Sequence, residues 1–200
     1  MKIGFSANAF TKFSLLDTIK IISKIGYDGI EIVVDQPHAF LPLTRDKIKE
    51  IKNVLSSNEL LVTNLNANTV LGWHSNLDHP EKFEPSLSNK NESLRKWRID
   101  YTKKAIQLAA EFNAPSVCIT SGIKHAENFE YEIMMFKRSL SEIVEYAERN
   151  SVSIGIEYEP GLLIEKSNEV FDLTRDFKNL GLNLDTCHVE VLNENFSKLI

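Results

Sequence analysis

The protein is a chain of 200 residues, of which 42% are hydrophobic and 26% charged, a composition typical of one soluble globular domain. It has 28 acidic and 23 basic residues and a net charge of −5. This balance lacks the basic surface that nucleic acid selects, so we expect no nucleic-acid partner. Because the chain shows neither a signal-peptide pattern nor an apolar run of membrane-spanning length, we expect a cytoplasmic protein without a membrane partner.

Strand-like runs alternate with segments of helical periodicity along the whole chain, which is the pattern of parallel βα units. The pattern predicts strands at residues 2–7, 29–35, 60–66, 116–121, 153–159 and 182–186. It predicts helices at residues 14–25, 44–57, 93–112, 129–149 and 167–179, with another beginning near residue 190. Ser14 and Asp17 have the spacing of a capping box, which marks the start of the first helix.

The spacing of the strands favours a (β/α)8 TIM barrel. Four of the five strand-to-strand intervals are about 30 residues, the period of such a barrel, which typically needs about 250 residues. We therefore expect an α/β TIM barrel in one domain, residues 1–200, of which about six βα units are present. Residues 66–89 lengthen the remaining interval and show little periodicity, so we interpret them as a binding loop or lid, with a solvated surface loop as the alternative.

Side-chain alternation along the strands predicts which residues point toward the barrel axis. In SIGIEYE, residues 153–159, the apolar positions should face the helices, which directs Glu157 inward. The same reasoning directs Glu31 and Asp185 inward. Carboxylates without partners are costly in a dry interior, and barrels build their active sites at the C-terminal mouth. We therefore expect a site there that includes His188. As alternatives, Glu157 and Asp185 could pair with a lysine or arginine, and Glu31 could make a buried structural hydrogen bond.

Three motifs resemble those of a known family: GYDGIEIVV at residues 26–34, IGIEYEPG at 154–161 and LNLDTCHVE at 182–190. In this order they resemble the sugar phosphate isomerase/epimerase family, the xylose isomerase-like TIM barrels. The resemblance covers essentially the whole chain. It implies one divalent metal ion bound by Glu, Asp, His and Glu from strands five to eight. Glu157 and Asp185 would be the first two ligands, and His188 matches a histidine that contacts substrate.

The chain stops before a seventh strand, so the other two ligands and a second catalytic glutamate have no counterpart. We expect an N-terminal part of a longer barrel; a degenerate member that cannot bind metal in the family's manner is the alternative. Two open sheet edges should make the isolated 200-residue polypeptide marginally folded or self-associating. Formation of a homo-oligomer is compatible with the sequence.

The resemblance implies a metal-dependent isomerase or epimerase that acts on a sugar, sugar phosphate or polyol through an enediolate at the barrel mouth. The ion would be Mn²⁺, Mg²⁺ or Co²⁺, with Zn²⁺ as an alternative. Glu157 would act as the catalytic base in addition to binding the metal. His188, Glu31, Trp73 and His74 would contact the substrate, the last two from the long third loop.

Other functions stay open on the same scaffold. A dehydratase or hydrolase could use the same metal and carboxylates. A non-catalytic accessory barrel would have no metal site that depends on Glu157 and Asp185. A phosphodiesterase related to endonuclease IV would need more histidines than the five present. A doubly wound nucleotide-binding fold is disfavoured, because FSANAFTKFS at residues 5–14 lacks a phosphate-binding glycine pattern.

Overall fold

The computed structural model describes residues 2–76 and 78–199. Six parallel strands form one sheet in the order β1-β2-β3-β4-β5-β6, with each strand hydrogen-bonded to the next in the chain. The strands are β1 Gly4–Ser6, β2 Gly29–Val33, β3 Leu61–Asn66, β4 Ser116–Ile119, β5 Ser153–Ile156 and β6 Leu180–Leu182. This is the partial TIM barrel that the sequence predicted, with six successive βα units.

Helices follow the strands. They are α1 Leu15–Ile25, α2 Arg45–Ser57, α3 Leu71–His74, α4 Glu92–Glu111, α5 Phe129–Arg149, α6 Ser167–Thr174 and α7 Thr186–Val191. Short 3₁₀ turns occupy Ala7–Phe10, Ala126–Asn128 and Phe196–Lys198. The predicted start of α1 is confirmed, because the Asp17 backbone N–H donates to Ser14 Oγ over 3.1 Å. Gly26 caps the C-terminal end of this helix, and its φ of 103° suits glycine.

Residues with the apolar parity of the strands pack between the sheet and the helices, as predicted. Ile154, Ile156 and Tyr158 are each at most 1% exposed, and Ile30 and Ile32 are fully buried. The alternate positions are therefore left to face the barrel interior, where the polar and acidic side chains lie. This division is what allows one sheet to carry both a hydrophobic core and a charged site.

The last two strands are shorter than predicted. The sequence indicated strands up to residues 159 and 186, but β5 ends at Ile156 and β6 at Leu182. The parallel hydrogen bonding continues for one residue beyond each strand end, with Glu157 N donating to Ile119 O and Asn183 N to Ile156 O, both over 2.9 Å. The chain then leaves the sheet, and α7 begins at Thr186 rather than near residue 190.

A bulge sets the register between β2 and β3. Ile30 pairs with Val62, but Glu31 pairs with Asn64, so Thr63 is the extra residue. The Thr63 side chain projects over Gly29, where an added Cβ would lie 2.5 Å from Thr63 Cγ2. Glycine at this position therefore makes room for the bulge, which in turn brings Asn64 beside Glu31.

Within the described residues, β1 and β6 each have one neighbouring strand, so the sheet has two open edges. The self-association expected from such edges stays a prediction. No helix in the described part of the chain combines the length and the apolar composition that crossing a bilayer requires.

Candidate active site

Glu157, Asp185 and His188 converge at the C-terminal ends of β5 and β6. Each contributes one ligand-type atom, and these atoms all lie within 4.8 Å of one another. Across residues 2–76 and 78–199, this is the only group of at least three His, Cys, Asp or Glu side chains with such spacing. All three residues are half-buried. The structure thus brings together three residues that the sequence placed in one site.

Hydrogen bonds from both neighbouring strands hold Glu157. Its Oε2 atom lies 3.1 Å from Cys118 Sγ and 3.2 Å from Asn183 Nδ2. Burial, followed by the charge of Glu157, raises the pKa of the Cys118 thiol well above its usual value, so the sulfur is a donor to this carboxylate. Cys118 and Cys187 are both free cysteines.

In the part of the chain that the structure describes, Glu157 and Asp185 have no lysine or arginine partner that would make them structural. Among the described residues, no lysine or arginine nitrogen lies within 4.0 Å of either group. The imidazole of His188 lies beside Asp185, with Nε2 at 3.9 Å from Asp185 Oδ2. Two adjacent carboxylates with no lysine or arginine partner generate a negative potential that favours a cation.

Asp185 caps α7 and thereby places His188. Asp185 Oδ1 accepts a hydrogen bond of 2.7 Å from the Cys187 backbone N–H. His188 lies three residues later on the same helix, so its ring returns toward the Asp185 side chain. His188 Nδ1 is 2.7 Å from the Tyr158 carbonyl oxygen. Because a carbonyl only accepts, Nδ1 carries the hydrogen, and in the neutral ring Nε2 keeps its lone pair.

Glu159 is a further acidic group beside the site. It has the same inward parity as Glu157, and its side chain is half-buried. Burial raises the pKa of Glu159; the charges of His188 and Lys82 oppose the rise, and those of Glu157 and Asp185 add to it. No sequence pattern distinguishes Glu159 as a site residue, so sequence reasoning missed it.

Glu31 points into the barrel, as predicted, but its hydrogen bonds are to side chains other than Glu157, Asp185 and His188. Its carboxylate accepts a hydrogen bond of 2.7 Å from Ser6 Oγ and one of 2.8 Å from Asn64 Nδ2. Asn64 Oδ1 in turn accepts from Ser116 Oγ over 2.8 Å. These bonds run across β1 to β4, and none of them reaches Asp185 or His188. A substrate contact by Glu31 therefore stays a prediction.

Trp73 and His74 lie on α3, inside the long third loop. The Trp73 ring packs on Trp97 with centroids 4.2 Å apart. His74 Nε2 lies 2.6 Å from the Glu84 carbonyl oxygen, and the ring stacks on His79. These contacts stay within the loop and α4, and among the described residues none is to the three converging side chains. Their role over the substrate stays a prediction.

Asp35 is an important residue that the sequence reasoning missed. It follows β2, is 5% exposed, and accepts four hydrogen bonds of 2.7–2.9 Å from Thr69 Oγ1 and the backbone N–H groups of Val70, Leu71 and Gly72. It thereby anchors the loop that carries α3. A Cβ at Gly72 would lie 2.7 Å from Asp35 Oδ1, so this anchor needs glycine. The signal available was an aspartate directly after an apolar strand.

An open cleft of about 530 Å³ lies at the C-terminal ends of the first three strands. Its lining includes Asn66, Asn68, Leu71 and Lys82. Asn68 is held in place because its Oδ1 accepts from Thr120 N and Oγ1 at 3.1 and 2.9 Å. Amide groups beside apolar side chains are suited to a small hydroxylated molecule.

The chain resembles known proteins over nearly its full length. The family model described as xylose isomerase-like TIM barrel matches residues 19–198. An uncharacterised protein of Methanocaldococcus jannaschii is 27% identical over 196 residues, which are 94% of this chain and 61% of that protein. Fructoselysine 3-epimerase of Shigella flexneri is 27% identical over 161 residues, 78% of this chain and 54% of the enzyme.

A solved structure described as a D-tagatose 3-epimerase-like protein has the same fold. It superposes with a TM-score of 0.79 at 24% identity, and the match covers 100% of this chain and 70% of the other. The 200 residues thus span 61% and 54% of the lengths of the two curated relatives.

Proposed function

The chain belongs to the xylose isomerase-like TIM barrel family, and on that premise we propose that it acts, or forms part of an enzyme that acts, as a divalent-metal-dependent isomerase or epimerase of a small sugar or sugar phosphate. The observation that carries the proposal is the convergence of Glu157, Asp185 and His188 within 4.8 Å at the barrel mouth. The name of the Shigella flexneri relative supports epimerisation as the reaction class.

The side chains present suit a divalent ion. Glu157 and Asp185 offer hard carboxylate oxygens and have no lysine or arginine partner among the described residues, which favours Mn²⁺, Mg²⁺ or Co²⁺, with Zn²⁺ as the alternative. His188 Nε2 faces Asp185 and carries a lone pair in the neutral ring. We assign this nitrogen to a substrate hydroxyl, in agreement with the family resemblance, and assign the two carboxylates to the ion.

Glu157 is the base of the proposed reaction. Its carboxylate takes the proton from the carbon next to the substrate carbonyl, and the C–H electron pair moves into the carbonyl to give an enediolate. A bound divalent ion would supply the positive charge that stabilises this enediolate. If a second acid returns a proton to the same carbon from the opposite face, the configuration of that carbon is inverted. If Glu157 instead returns its proton to the former carbonyl carbon, and the hydroxyl proton moves to the former carbonyl oxygen, aldose and ketose are exchanged.

The test is Mn²⁺-dependent exchange of solvent deuterium into a panel of free and phosphorylated ketohexoses, followed by mass spectrometry. Exchange should require Mn²⁺ and should be lost in Glu157→Gln. Glu190→Gln, an exposed residue on α7, is the matched control and should exchange normally. Unchanged exchange in Glu157→Gln would remove Glu157 as the base, and exchange without any metal would refute metal dependence.

The same experiment distinguishes the proposed isomerase or epimerase from the main alternative, a dehydratase. A dehydratase would yield a product that has lost water, whereas an isomerase or epimerase yields a product of unchanged composition apart from the deuterium. An accessory barrel would give neither, and its Mn²⁺ binding would not depend on Glu157 and Asp185.

A further inference from the structure

Cys118 is a buried thiol that the proposed reaction does not use. It lies on β4, is fully buried, and its Sγ is 3.1 Å from Glu157 Oε2. Cys118 has the parity of the barrel interior, since it pairs with Gly155 of β5, two residues before Glu157.

Two donors converge on the same carboxylate oxygen from opposite sides of β5. Gly155 pairs with Cys118 on β4 and with Gly181 on β6. Asn183 is therefore level with Glu157, and Cys118 is one inward layer below it. Asn183 Nδ2 donates to Glu157 Oε2 over 3.2 Å, the oxygen that Cys118 also contacts.

We infer that Cys118 is a positioning residue whose S–H group, together with Asn183, keeps Glu157 Oε2 turned toward the sheet and leaves Oε1 as the oxygen turned toward the site. This inference rests on the role of Glu157 in the proposed function. A carboxylate with both donors on one oxygen has one preferred rotation, which is the preorganisation that metal binding and proton transfer require.

The identity of the side chain at position 118 matters because few groups can both fill the site and donate. Alanine would leave Oε2 with Asn183 as its remaining donor and would open a small space behind the carboxylate. Serine retains a donor at the same place. Cys118→Ser should therefore keep the Mn²⁺ affinity that Cys118→Ala loses. A purely space-filling role for the sulfur predicts no such difference.

The first test measures Mn²⁺ affinity by calorimetry in the full chain. Cys118→Ala should weaken binding by about 10-fold, the lower end of the effect of removing a group that orients a metal ligand, and Cys118→Ser should restore most of it. Val117→Ala is the matched control, because Val117 is fully buried on the same strand with the opposite parity. It should lower the melting temperature without changing affinity. Unchanged affinity in Cys118→Ala, or an equal loss in Val117→Ala, would overturn the inference.

A second measurement needs neither metal nor activity. In a Cys187→Ser background, Cys118 is the remaining thiol, and its S–H stretching band in the infrared should lie at the low frequency of a hydrogen-bonded thiol. Glu157→Gln, a weaker acceptor, should move the band upward; an unmoved band would overturn the inference. If the parent chain binds no Mn²⁺ while the band still moves, the proposed function fails and the Cys118 contact stands.

Discussion

His188 Nδ1 lies 2.7 Å from the carbonyl oxygen of Tyr158, so the end of one βα unit fixes the imidazole of the next. This bond selects the tautomer and directs Nε2 toward Asp185, 3.9 Å away. The ring is thus held from behind while its free nitrogen faces the site.

Replacing His188 by asparagine separates its two roles. The Asn amide can keep the hydrogen bond to the Tyr158 carbonyl but has no group at the place of Nε2. We expect His188→Asn to keep the melting temperature close to that of the parent, to keep Mn²⁺ affinity, and to reduce kcat/KM on the active ketose by about 10²-fold. A loss of Mn²⁺ affinity comparable to that of Asp185→Asn would instead make His188 a metal ligand.

Asp185 combines a helix cap with a proposed metal ligand, and two variants distinguish them. Asparagine is as good an N-cap as aspartate, so Asp185→Asn should preserve stability but weaken Mn²⁺ binding, measured by calorimetry. Asp185→Ala should weaken Mn²⁺ binding equally and also destabilise the fold by about 1 kcal/mol in urea unfolding. Normal Mn²⁺ binding in both variants would exclude Asp185 as a ligand.

Glu194 should make stability depend on pH. Its carboxylate accepts from Tyr158 Oη at 2.7 Å and from Ser167 N and Oγ at 3.1 and 2.9 Å. Burial alone would raise the pKa of Glu194, but the hydrogen bonds from Tyr158 and Ser167 outweigh it and the pKa is lowered. The stabilisation is therefore complete above the ordinary glutamate pKa of about 4.3 and disappears as pH falls through the lower folded-state value.

The measurement is the difference in unfolding free energy between the parent and Glu194→Gln. We expect about 1 kcal/mol near neutral pH, decreasing below pH of about 4.3. Glu190→Gln, at an exposed position on the preceding helix α7, should differ little from the parent at every pH. A difference for Glu194→Gln that stays constant or grows on acidification would contradict the assignment.

Asp35 should control the order of the third loop. In Asp35→Asn, one carboxylate oxygen becomes an NH₂ group that opposes the N–H donors of the loop, which should cost about 2 kcal/mol. Hydrogen exchange at the amides of Val70 and Leu71 should accelerate strongly. Asp78→Asn, an exposed position in the same loop, should leave exchange unchanged. Equal protection in Asp35→Asn would show that the four hydrogen bonds do not anchor the loop.

The direction of the acidic residues could be predicted from the sequence because it depends only on alternation. Once Ile154 and Ile156 face the helices, Glu157 has to face the axis. The ends of the strands could not be predicted in the same way. Asp185 was read as the end of a strand, whereas it caps a helix, and an aspartate after an apolar run is compatible with both.

The contacts that orient the site were beyond sequence patterns. The Cys118 bond to Glu157 depends on the register between β4 and β5, which pairs residues 37 positions apart, Cys118 with Gly155. The partners of Asp35 are mainly backbone amides, which leave no side-chain pattern in the sequence. The prediction missed these contacts because they depend on strand register and on backbone N–H donors.

Tyr158 ties the segment after β6 at two points. Its backbone carbonyl accepts from His188, and its hydroxyl donates to Glu194, beyond the other end of α7. Because of these two bonds, thermal fraying at the edge strand β6 would move α7 together with Tyr158, the residue next to Glu157. The distance between the Glu157 and Asp185 side chains should therefore change little when the edge of the sheet moves.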